Sequence, residues 1–211
     1  MSFDQIDAFY RSRKTLLELL ATRGYNIKPF ERFSPREIEL MINNKGSLDF
    51  VAETENEGSE KRYARVIYEG NRFIKTKMAD LIDNMNLSDS EIAASEFIVM
   101  LVDPIVDAHH ISALHYLLGP KKAKVSYFNV YQLTHNPLNW EFGPKYEIVP
   151  SEKHTDLLKA LYCTSKSQMM IIRYHADHSA RCLGLAVGDI VKVIRPSASV
   201  GESIVYRVCA P

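Results

Sequence analysis

The sequence predicts a two-part protein of the α+β / α/β class, with an N-terminal α/β domain over residues 1–133 and a small C-terminal α+β domain over residues 134–211. The first observation is that strand-like and helix-like stretches alternate from Leu48 onward, which is typical of α/β domains. The second is a change of character after Leu133, where turn residues cluster. The third is a pair of β-branched stretches near the C-terminus, which predicts that the second domain ends in a β-hairpin.

Composition is that of an ordinary globular protein. The chain has 211 residues, of which 46% are hydrophobic and 25% charged, so a real core is expected. The formal net charge is zero, whereas a protein that holds nucleic acid tightly by itself usually carries a basic excess. Any nucleic-acid role is therefore expected to be shared with a partner. No apolar run reaches the ~20 residues that span a bilayer, and the three cysteines share no close spacing, so we expect an intracellular protein without membrane contact or disulfides.

Helices are predicted from apolar residues at helical spacing and from capping signals. Residues 4–23 carry an apolar stripe, and Gly24 can end that helix. Ser34 is followed by proline and, three residues on, by glutamate, which is the pattern of a capping box. Ser88 begins a second capping box. Further helices are predicted over residues 75–85, 108–118 and 152–161.

Strands are predicted from alternating or continuous apolar stretches. Residues 97–102 form an unbroken apolar run, which suits a central strand buried on both faces. The other predicted strands of the chain before the hairpin cover residues 48–52, 63–68, 125–131 and 169–174. Residues 134–145 contain Asn-Pro and Gly-Pro pairs and the single tryptophan, so we expect a linker or an extended insertion there.

The C-terminal stretch carries dense local signals. Asp177 can cap a short helix that Gly184 ends, and Gly188 begins a turn. Residues 190–195 and 203–208 are the two strands of the hairpin. Pro196 and Gly201 bracket a six-residue loop between these strands, in which the proline removes a backbone donor and the glycine is expected to take a positive φ.

Taken in order, these residues resemble the RNA polymerase subunit that is called H in archaea and is the fifth subunit shared by eukaryotic RNA polymerases I, II and III. The spaced set fits without a gap and consists of Asp177, Ala180, Arg181, Gly184, Gly188, Asp189, Val191, Lys192, Val193, Arg195, Pro196, Ser197, Gly201, Tyr206 and Arg207. Upstream, Arg13-Lys14-Thr15 and Arg23-Gly24-Tyr25 resemble the opening of the eukaryotic members, whereas archaeal members lack this first domain. The chain departs from the family pattern at His178, where proline is usual, and at Ala198-Ser199, where Glu-Thr is usual.

The resemblance implies a non-catalytic subunit of a multisubunit DNA-dependent RNA polymerase, from a divergent cellular or viral lineage. Its C-terminal domain would be an assembly domain that docks on the largest subunit, and its N-terminal domain a jaw beside downstream DNA. The implied partners are the other polymerase subunits and, through the complex, duplex DNA, but no second copy of the chain. The implied location is the nucleus or, for a virus-encoded member, the virion or cytoplasmic viral factory. No cofactor, metal or catalytic residue is implied.

The resemblance also yields three groups of candidate residues. Those for partner binding are Arg181, Lys192, Arg195, Pro196, Ser197, Tyr206 and Arg207. Arginine offers a planar fork that suits carboxylates and carbonyls at an interface, but these arginines could equally brace the hairpin. Those with a structural role are Asp177, Gly184, Gly188 and Gly201. Those expected near DNA are Arg11, Arg13, Lys14, His109 and His110, with ordinary solvated charge and helix histidines as the alternative.

Other functions stay open at this point. A restriction-nuclease-like phosphodiesterase would use Asp49, but it needs a second acid and a lysine on the next strand to hold metal, and residues 63–68 supply neither. A free-standing adaptor would use the same hairpin on a different protein. A metal site would combine His175, His178, Cys182 and Cys163, in a spacing that matches no standard zinc pattern.

Overall fold

The computed structural model describes residues 3–44, 46–54, 61–69, 75–85 and 87–211. The chain divides into two compact units, Met1–Asn136 and Pro137–Pro211, where the sequence suggests a division after Leu133. Each unit contains a four-stranded sheet together with helices. The mixed α+β class predicted from the sequence is therefore confirmed. Among the described residues, no helix is long and apolar enough to cross a membrane.

The helices of the first unit follow their sequence signals. They are α1 (Phe3–Thr22), α2 (Pro35–Asn43), α3 (Lys75–Asn84), α4 (Asp89–Ala93) and α5 (Asp107–Leu118). Ser34 caps α2 and Ser88 caps α4, and in each case the glutamate three residues on accepts the serine N–H in return. Both predicted capping boxes are thus confirmed, and each satisfies two backbone donors that a helix start leaves unpaired.

The first sheet runs β1 (Phe50–Glu53), β2 (Tyr63–Glu69), β3 (Ser95–Leu101) and β4 (Lys124–Asn129) in spatial order. β1 is antiparallel to β2, and the other pairs are parallel. Every residue of β3 is buried, which confirms the central strand predicted from its continuous apolar run. Side chains of α3, α4 and α5 pack on this sheet in one core that includes Met78, Ile82, Ile92, Phe97, Val99, Ala113, Val125 and Tyr127.

A buried carboxylate lies in this first sheet. Glu96 on β3 is 5% exposed, and its Oε1 lies 3.0 Å from Arg23 Nη1 and 3.6 Å from Lys124 Nζ. Burial opposes ionisation of Glu96, but attraction to Lys124 and Arg23 outweighs burial and holds its pKa below the usual range. Tyr25 beside them is buried, which raises its pKa, and Glu96 raises it further. The Arg23-Gly24-Tyr25 element of the N-terminal resemblance therefore ties the end of α1 to the sheet.

The second sheet has the spatial order β5 (Lys145–Val149), β7 (Ile190–Ser197), β8 (Gly201–Ala210) and β6 (Met170–Arg173). β7 is antiparallel to both neighbours, and β6 is parallel to β8. Two helices, α6 (His154–Ala160) and α7 (His178–Leu183), accompany the sheet. Leucines of α6 pack on one face beside Ile190 and Val208, and on the other face the Tyr146 hydroxyl donates to Ser179 Oγ of α7 at 3.0 Å.

The segment over residues 134–145 differs from its prediction. The sequence predicts a linker or extended insertion, but the chain forms a 3-10 turn over Pro137–Asn139 and then enters strand β5 at Lys145. The sequence does not predict β5 as a strand, because β5 lies at the edge of the sheet. Its residues are exposed or half-buried, so no clean apolar alternation marks it.

We predict that Glu96→Gln lowers the free energy of unfolding by about 3 kcal/mol near neutral pH, because it leaves buried cations without their counter-charge. A depressed carboxylate pKa contributes stability that is lost as pH falls through that pKa, here below the ordinary value of about 4.3. The acid limb of the stability–pH curve should therefore be flatter in the variant. Urea unfolding at several pH values measures both effects.

The matched control is Asp7→Asn, which breaks the exposed ion pair between Asp7 and Arg11 at 2.8 Å. It should cost less than about 1 kcal/mol because solvent screens such pairs. Equal losses in the two variants would contradict the role assigned to Glu96.

Candidate functional site

The hairpin pairs residue for residue from Ile190 opposite Val208 to Ser197 opposite Gly201. Its loop therefore has three residues, Ala198 to Val200, rather than the six that the sequence predicts. Proline usually ends a strand, but here Pro196 lies opposite Glu202 inside the ladder. A proline is tolerated where the backbone nitrogen faces away from the neighbouring strand.

The alternation of the ladder explains how Pro196 fits. Cys209 on β8 donates its N–H to Asp189 and accepts from Gly188 at 2.8 Å each, so both its backbone groups face the β7 side. Along a pair of antiparallel strands, residues that hydrogen-bond to the partner strand alternate with residues that do not. The odd-numbered residues of β8 and the residues opposite them on β7 therefore form the hydrogen-bonded pairs. Pro196 falls between two such pairs, where its nitrogen points away from β8, and the hairpin loses no hydrogen bond.

The glycines and the aspartate of the structural group hold the backbone around this hairpin. Gly184, Gly188 and Gly201 have φ values of +66°, +94° and +78°, a region that glycine enters without strain. Gly184 ends α7, and the positive φ expected at Gly201 is present where the loop rejoins β8. Asp177 Oδ1 accepts the N–H groups of Ser179 at 2.9 Å and Ala180 at 3.4 Å, which caps α7.

The end of the hairpin projects past its neighbouring strand. β5 pairs with β7 only as far as Ile194, opposite Lys145, so no described strand pairs with the following residues on that side. We call residues 195–203 the hairpin tip. Arg195 and Pro196 are exposed there, Ser197 is half-buried, and Val200 is 75% exposed. The Arg195 side chain forms no hydrogen bond or ion pair with any described residue, although its backbone pairs opposite Ser203. Three of the predicted binding residues are thus brought together on a rigid, accessible end.

Three other candidates lie further down the hairpin and are engaged within their own unit. Lys192 Nζ lies 2.9 Å from Glu147 Oε2, and this hydrogen bond raises the pKa of Lys192. Tyr206 is half-buried against the core beside Ile190 and Val208. Arg207 Nη1 donates to the Ile171 carbonyl at 3.2 Å, which links β8 to β6.

Arg181 lies inside its unit rather than on its surface. It is 5% exposed, and its Nη1 donates to the His175 carbonyl at 3.4 Å. Burial lowers the pKa of Arg181, and burial together with Arg181 lowers that of His178. The surface role predicted for this arginine is therefore replaced by local bracing. The burial of Arg181 could not be predicted from the sequence, because a six-residue helix is too short for its apolar spacing to show which face is buried.

The described residues do not form the metal site or the phosphodiesterase site that the sequence analysis left open. Among the described residues, no group of three or more histidine, cysteine and acidic side chains could hold a metal ion. Asp49 Oδ1 accepts the Tyr68 N–H at 2.7 Å, and burial raises the pKa of Asp49. Asp49 thus joins the turn before β1 to the end of β2.

Arg13 is the clearest correction to the DNA-proximal group. The sequence places it off the apolar stripe of α1, but it is 4% exposed and donates from Nη1 to the Leu48 carbonyl at 2.8 Å. Its guanidinium lies over the rings of Phe33 and Phe50, at 5.3 and 4.7 Å from their centroids. Arginine can be buried in this way because aromatic faces and a carbonyl replace part of its hydration. Arg13 therefore anchors α1 and does not face solvent.

The other members of that group have different surroundings. Arg11 and Lys14 are exposed on α1, and Arg11 pairs with Asp7. His109 Nδ1 accepts the Val106 N–H at 3.1 Å at the start of α5, so its ring serves as a cap. His110 is half-buried on the same helix.

Sequence reasoning missed two exposed aromatic side chains ahead of β5. Trp140 is 66% exposed and Phe142 is 78% exposed. Large apolar side chains at this exposure in adjoining positions are typical of interaction surfaces. A signal was present, since the single tryptophan lies among turn residues rather than in an apolar run.

Comparisons with known proteins agree with this arrangement. The family model "RNA polymerase Rpb5, C-terminal domain" matches residues 135–209. The Dictyostelium discoideum protein named DNA-directed RNA polymerases I, II, and III subunit rpabc1 is 26% identical over 98% of this chain and 99% of its own length. The Caenorhabditis elegans protein of the corresponding name is 24% identical over 99% of both chains. The Methanocaldococcus jannaschii DNA-directed RNA polymerase subunit Rpo5 is 40% identical over 31% of this chain and 81% of its own.

These sequence matches place the chain in the class of RNA polymerase subunits. Within that class, the chain belongs to the Rpb5 family, which includes the archaeal subunit Rpo5. The eukaryotic relatives match over nearly the whole chain, whereas the archaeal relative matches only 31% of it.

We predict that Gly201→Ala costs about 1–2 kcal/mol of unfolding free energy, because a side chain at φ +78° is strained. No heavy atom lies within 4 Å of the position of an added Cβ, so the cost would come from the backbone alone. Chemical denaturation measures the loss. Gly201→Asn is the matched control, since asparagine tolerates this region better and should lose less. Equal losses would contradict the backbone origin of the effect.

Proposed function

We propose that this chain is a non-catalytic subunit of a multisubunit DNA-dependent RNA polymerase. The observation that carries the proposal is the match to named polymerase subunits over nearly the whole chain, with the family model covering the hairpin-bearing unit. Polymerisation chemistry then belongs to other subunits. The eukaryotic relatives are named as subunits of RNA polymerases I, II and III, which favours the nucleus, and a virus-encoded member would serve in the virion or cytoplasmic viral factory.

We further propose that the C-terminal unit docks on the largest polymerase subunit through the hairpin tip. Two features of the tip support this assignment. The Arg195 side chain is exposed and forms no hydrogen bond or ion pair with a described residue. The five N–H donors of its guanidinium are therefore available to a partner. The ladder beneath it is fully paired from Ile190 to Ser197, so little conformational entropy is lost when the tip binds. Lys192 and Arg207 are engaged internally and support the tip rather than contact the partner.

We predict that Arg195→Glu weakens docking at least tenfold, because it replaces a donor fork by a repelling charge. The assay is affinity capture of the tagged full chain with the largest subunit from the native source, followed by a titration. Lys159→Glu, a reversal at an exposed lysine of α6, is the matched control and should bind as the unmodified chain does.

Two outcomes would contradict these statements at different levels. Failure of the unmodified chain to recover a polymerase largest subunit would overturn the proposed function and favour a free-standing adaptor. Recovery with equal affinity for Arg195→Glu would leave the polymerase assignment in place and remove Arg195 from the interface.

For the N-terminal unit, we propose a position beside downstream duplex DNA within the assembled polymerase. The support is the jaw role that the family resemblance implies, together with two exposed cations, Arg11 and Lys14, on α1. Contacts of this kind to phosphates position a duplex without reading its sequence. The chain has no net charge, so such contacts supplement a grip that other subunits supply.

We predict that Lys14→Gln reduces the salt dependence of DNA binding by the assembled polymerase. Each lost phosphate contact changes the slope of log K against log salt concentration by about 0.9. Filter binding or fluorescence anisotropy over a salt series measures this slope. Lys122→Gln, at an exposed lysine after α5, is the matched control. An unchanged slope for Lys14→Gln would contradict a phosphate contact at Lys14.

A further inference from the structure

Strand β5 forms one open edge of the second sheet. It pairs with β7 on one side, with Lys145, Glu147 and Val149 opposite Ile194, Lys192 and Ile190. The described part of the chain places no strand on its other side. An open edge of this kind presents unpaired backbone groups that can pair with another chain.

The ladder identifies which backbone groups face outward. The residues of β7 that bond to β8 are the odd-numbered ones, as the two hydrogen bonds of Cys209 and the place of Pro196 require. The even-numbered residues of β7 therefore bond to β5, through Lys145, Glu147 and Val149. Between them, Tyr146 and Ile148 direct their N–H and C=O groups away from the sheet. No described residue forms a hydrogen bond to these outward groups.

This edge is short and carries the charged residues Lys145 and Glu147, but no described element covers it and no proline lies within it. Ile148, whose backbone groups face outward, has a side chain that is 49% exposed. Natural proteins commonly shield open edges with proline, bulges or a covering element. A partly apolar edge that no described element covers is a geometry that accepts an extended peptide.

A groove lies directly beside the edge. It has a volume of about 650 Å³ and is lined by Leu138, Asn139, Trp140, Glu141, Lys145, Tyr146, Glu147 and Leu183. Tyr146 faces α7, to which Leu183 belongs, so the groove includes the face of the sheet that α7 covers. A strand added to β5 would direct every second side chain toward that face. The groove thus has the place and size to receive such side chains.

Trp140 is held in position beside this groove. Gly143 donates its N–H to the Trp140 carbonyl at 3.1 Å, and the place of a Cβ on Gly143 lies 3.4 Å from the indole ring. The turn therefore fixes one side of the indole while 66% of the residue remains exposed. A pre-positioned, exposed tryptophan is the residue type that most often dominates binding energy at an interface.

We propose that β5 is a docking edge that accepts an extended segment of the largest polymerase subunit as an added strand. Its apolar side chains lie in the groove against Trp140 and Leu183, and a basic side chain lies near Glu141. Two observations favour this occupant. The edge is continuous with the hairpin tip, since Lys145 pairs opposite Ile194 next to Arg195. Glu147 of the groove is engaged by Lys192, whereas Glu141 pairs with no described residue and can meet a basic side chain of the segment.

This inference rests on the proposed function, and backbone hydrogen exchange tests it most directly. In the free chain, the amides of Tyr146 and Ile148 should exchange much faster than that of Glu147, which bonds to β7. In the complex with the largest subunit, both fast amides should become protected at least tenfold. Docking through the hairpin tip alone would leave them fast, and that result would overturn the inference.

A proline variant gives a second, independent test. Ile148→Pro removes an outward donor without removing a bond to β7, whereas Ile148→Ala keeps the donor and shortens the side chain. We expect Ile148→Pro to lose at least tenfold in affinity for the largest subunit and Ile148→Ala to lose much less. Equal binding by both would overturn strand addition. If Ile148→Pro does not fold, as circular dichroism would show, the exchange measurement on the unmodified chain decides.

The single tryptophan provides a local signal for the same site. Titration with overlapping, tryptophan-free peptides from the largest subunit should shift Trp140 emission to the blue for the segment that docks, and the shift should be absent for Ile148→Pro. No shift with any peptide, despite capture of the whole subunit, would place docking elsewhere. A dimer of the free chain that Ile148→Pro abolishes would identify a second copy as the occupant and overturn the proposed one.

Discussion

The antiparallel pairing of β7 with β8 is the constraint on which the second unit depends. It runs without interruption over eight residue pairs, and both outer strands of the sheet attach to it. Its register decides which residues of β7 bond to β8 and which bond to β5. The same register lets Pro196 sit inside a strand, places Arg195 past the end of β5, and leaves the outward groups of β5 unpaired. One ladder therefore accounts for the scaffold, the exposed tip and the open edge.

The arginines of the chain have different roles, and the local environment of each side chain determines which role it has. Arg13 stacks on two aromatic rings, Arg23 neutralises a buried carboxylate, and Arg181 donates to a carbonyl inside its unit. Each is largely removed from solvent, so its charge stabilises the fold and is not offered to a partner. Arg195 differs because it is exposed and lacks such contacts within the described residues. A motif shared with a family thus contains both bracing and surface arginines, and burial separates them.

The sequence predicts those elements whose signals are local. The capping boxes at Ser34 and Ser88, the buried strand β3 and the glycine at the end of α7 each depend on a few neighbouring residues. What it does not predict depends on distant parts of the chain. The burial of Arg13 requires Phe33 and Phe50, which the fold brings to it, and β5 becomes a strand because β7 supplies a partner for residues with little apolar pattern. The family resemblance selected the cations of the hairpin as binding candidates but could not tell which of them face outward.

Among the described residues, no further strand pairs with either edge of the second sheet, and this bears on how the chain exists in a cell. Besides β5, the edge strand β6 exposes Met170 at 62% and Ile171 at 48%. Apolar open edges favour uncontrolled pairing between chains, so a free monomer with both uncovered would be prone to associate. A subunit that is covered on assembly avoids this cost, because the larger complex supplies the shielding that the small unit lacks. The neutral overall charge is consistent with the proposed function, because within an assembly the solubility and any contact with DNA need not come from this chain alone.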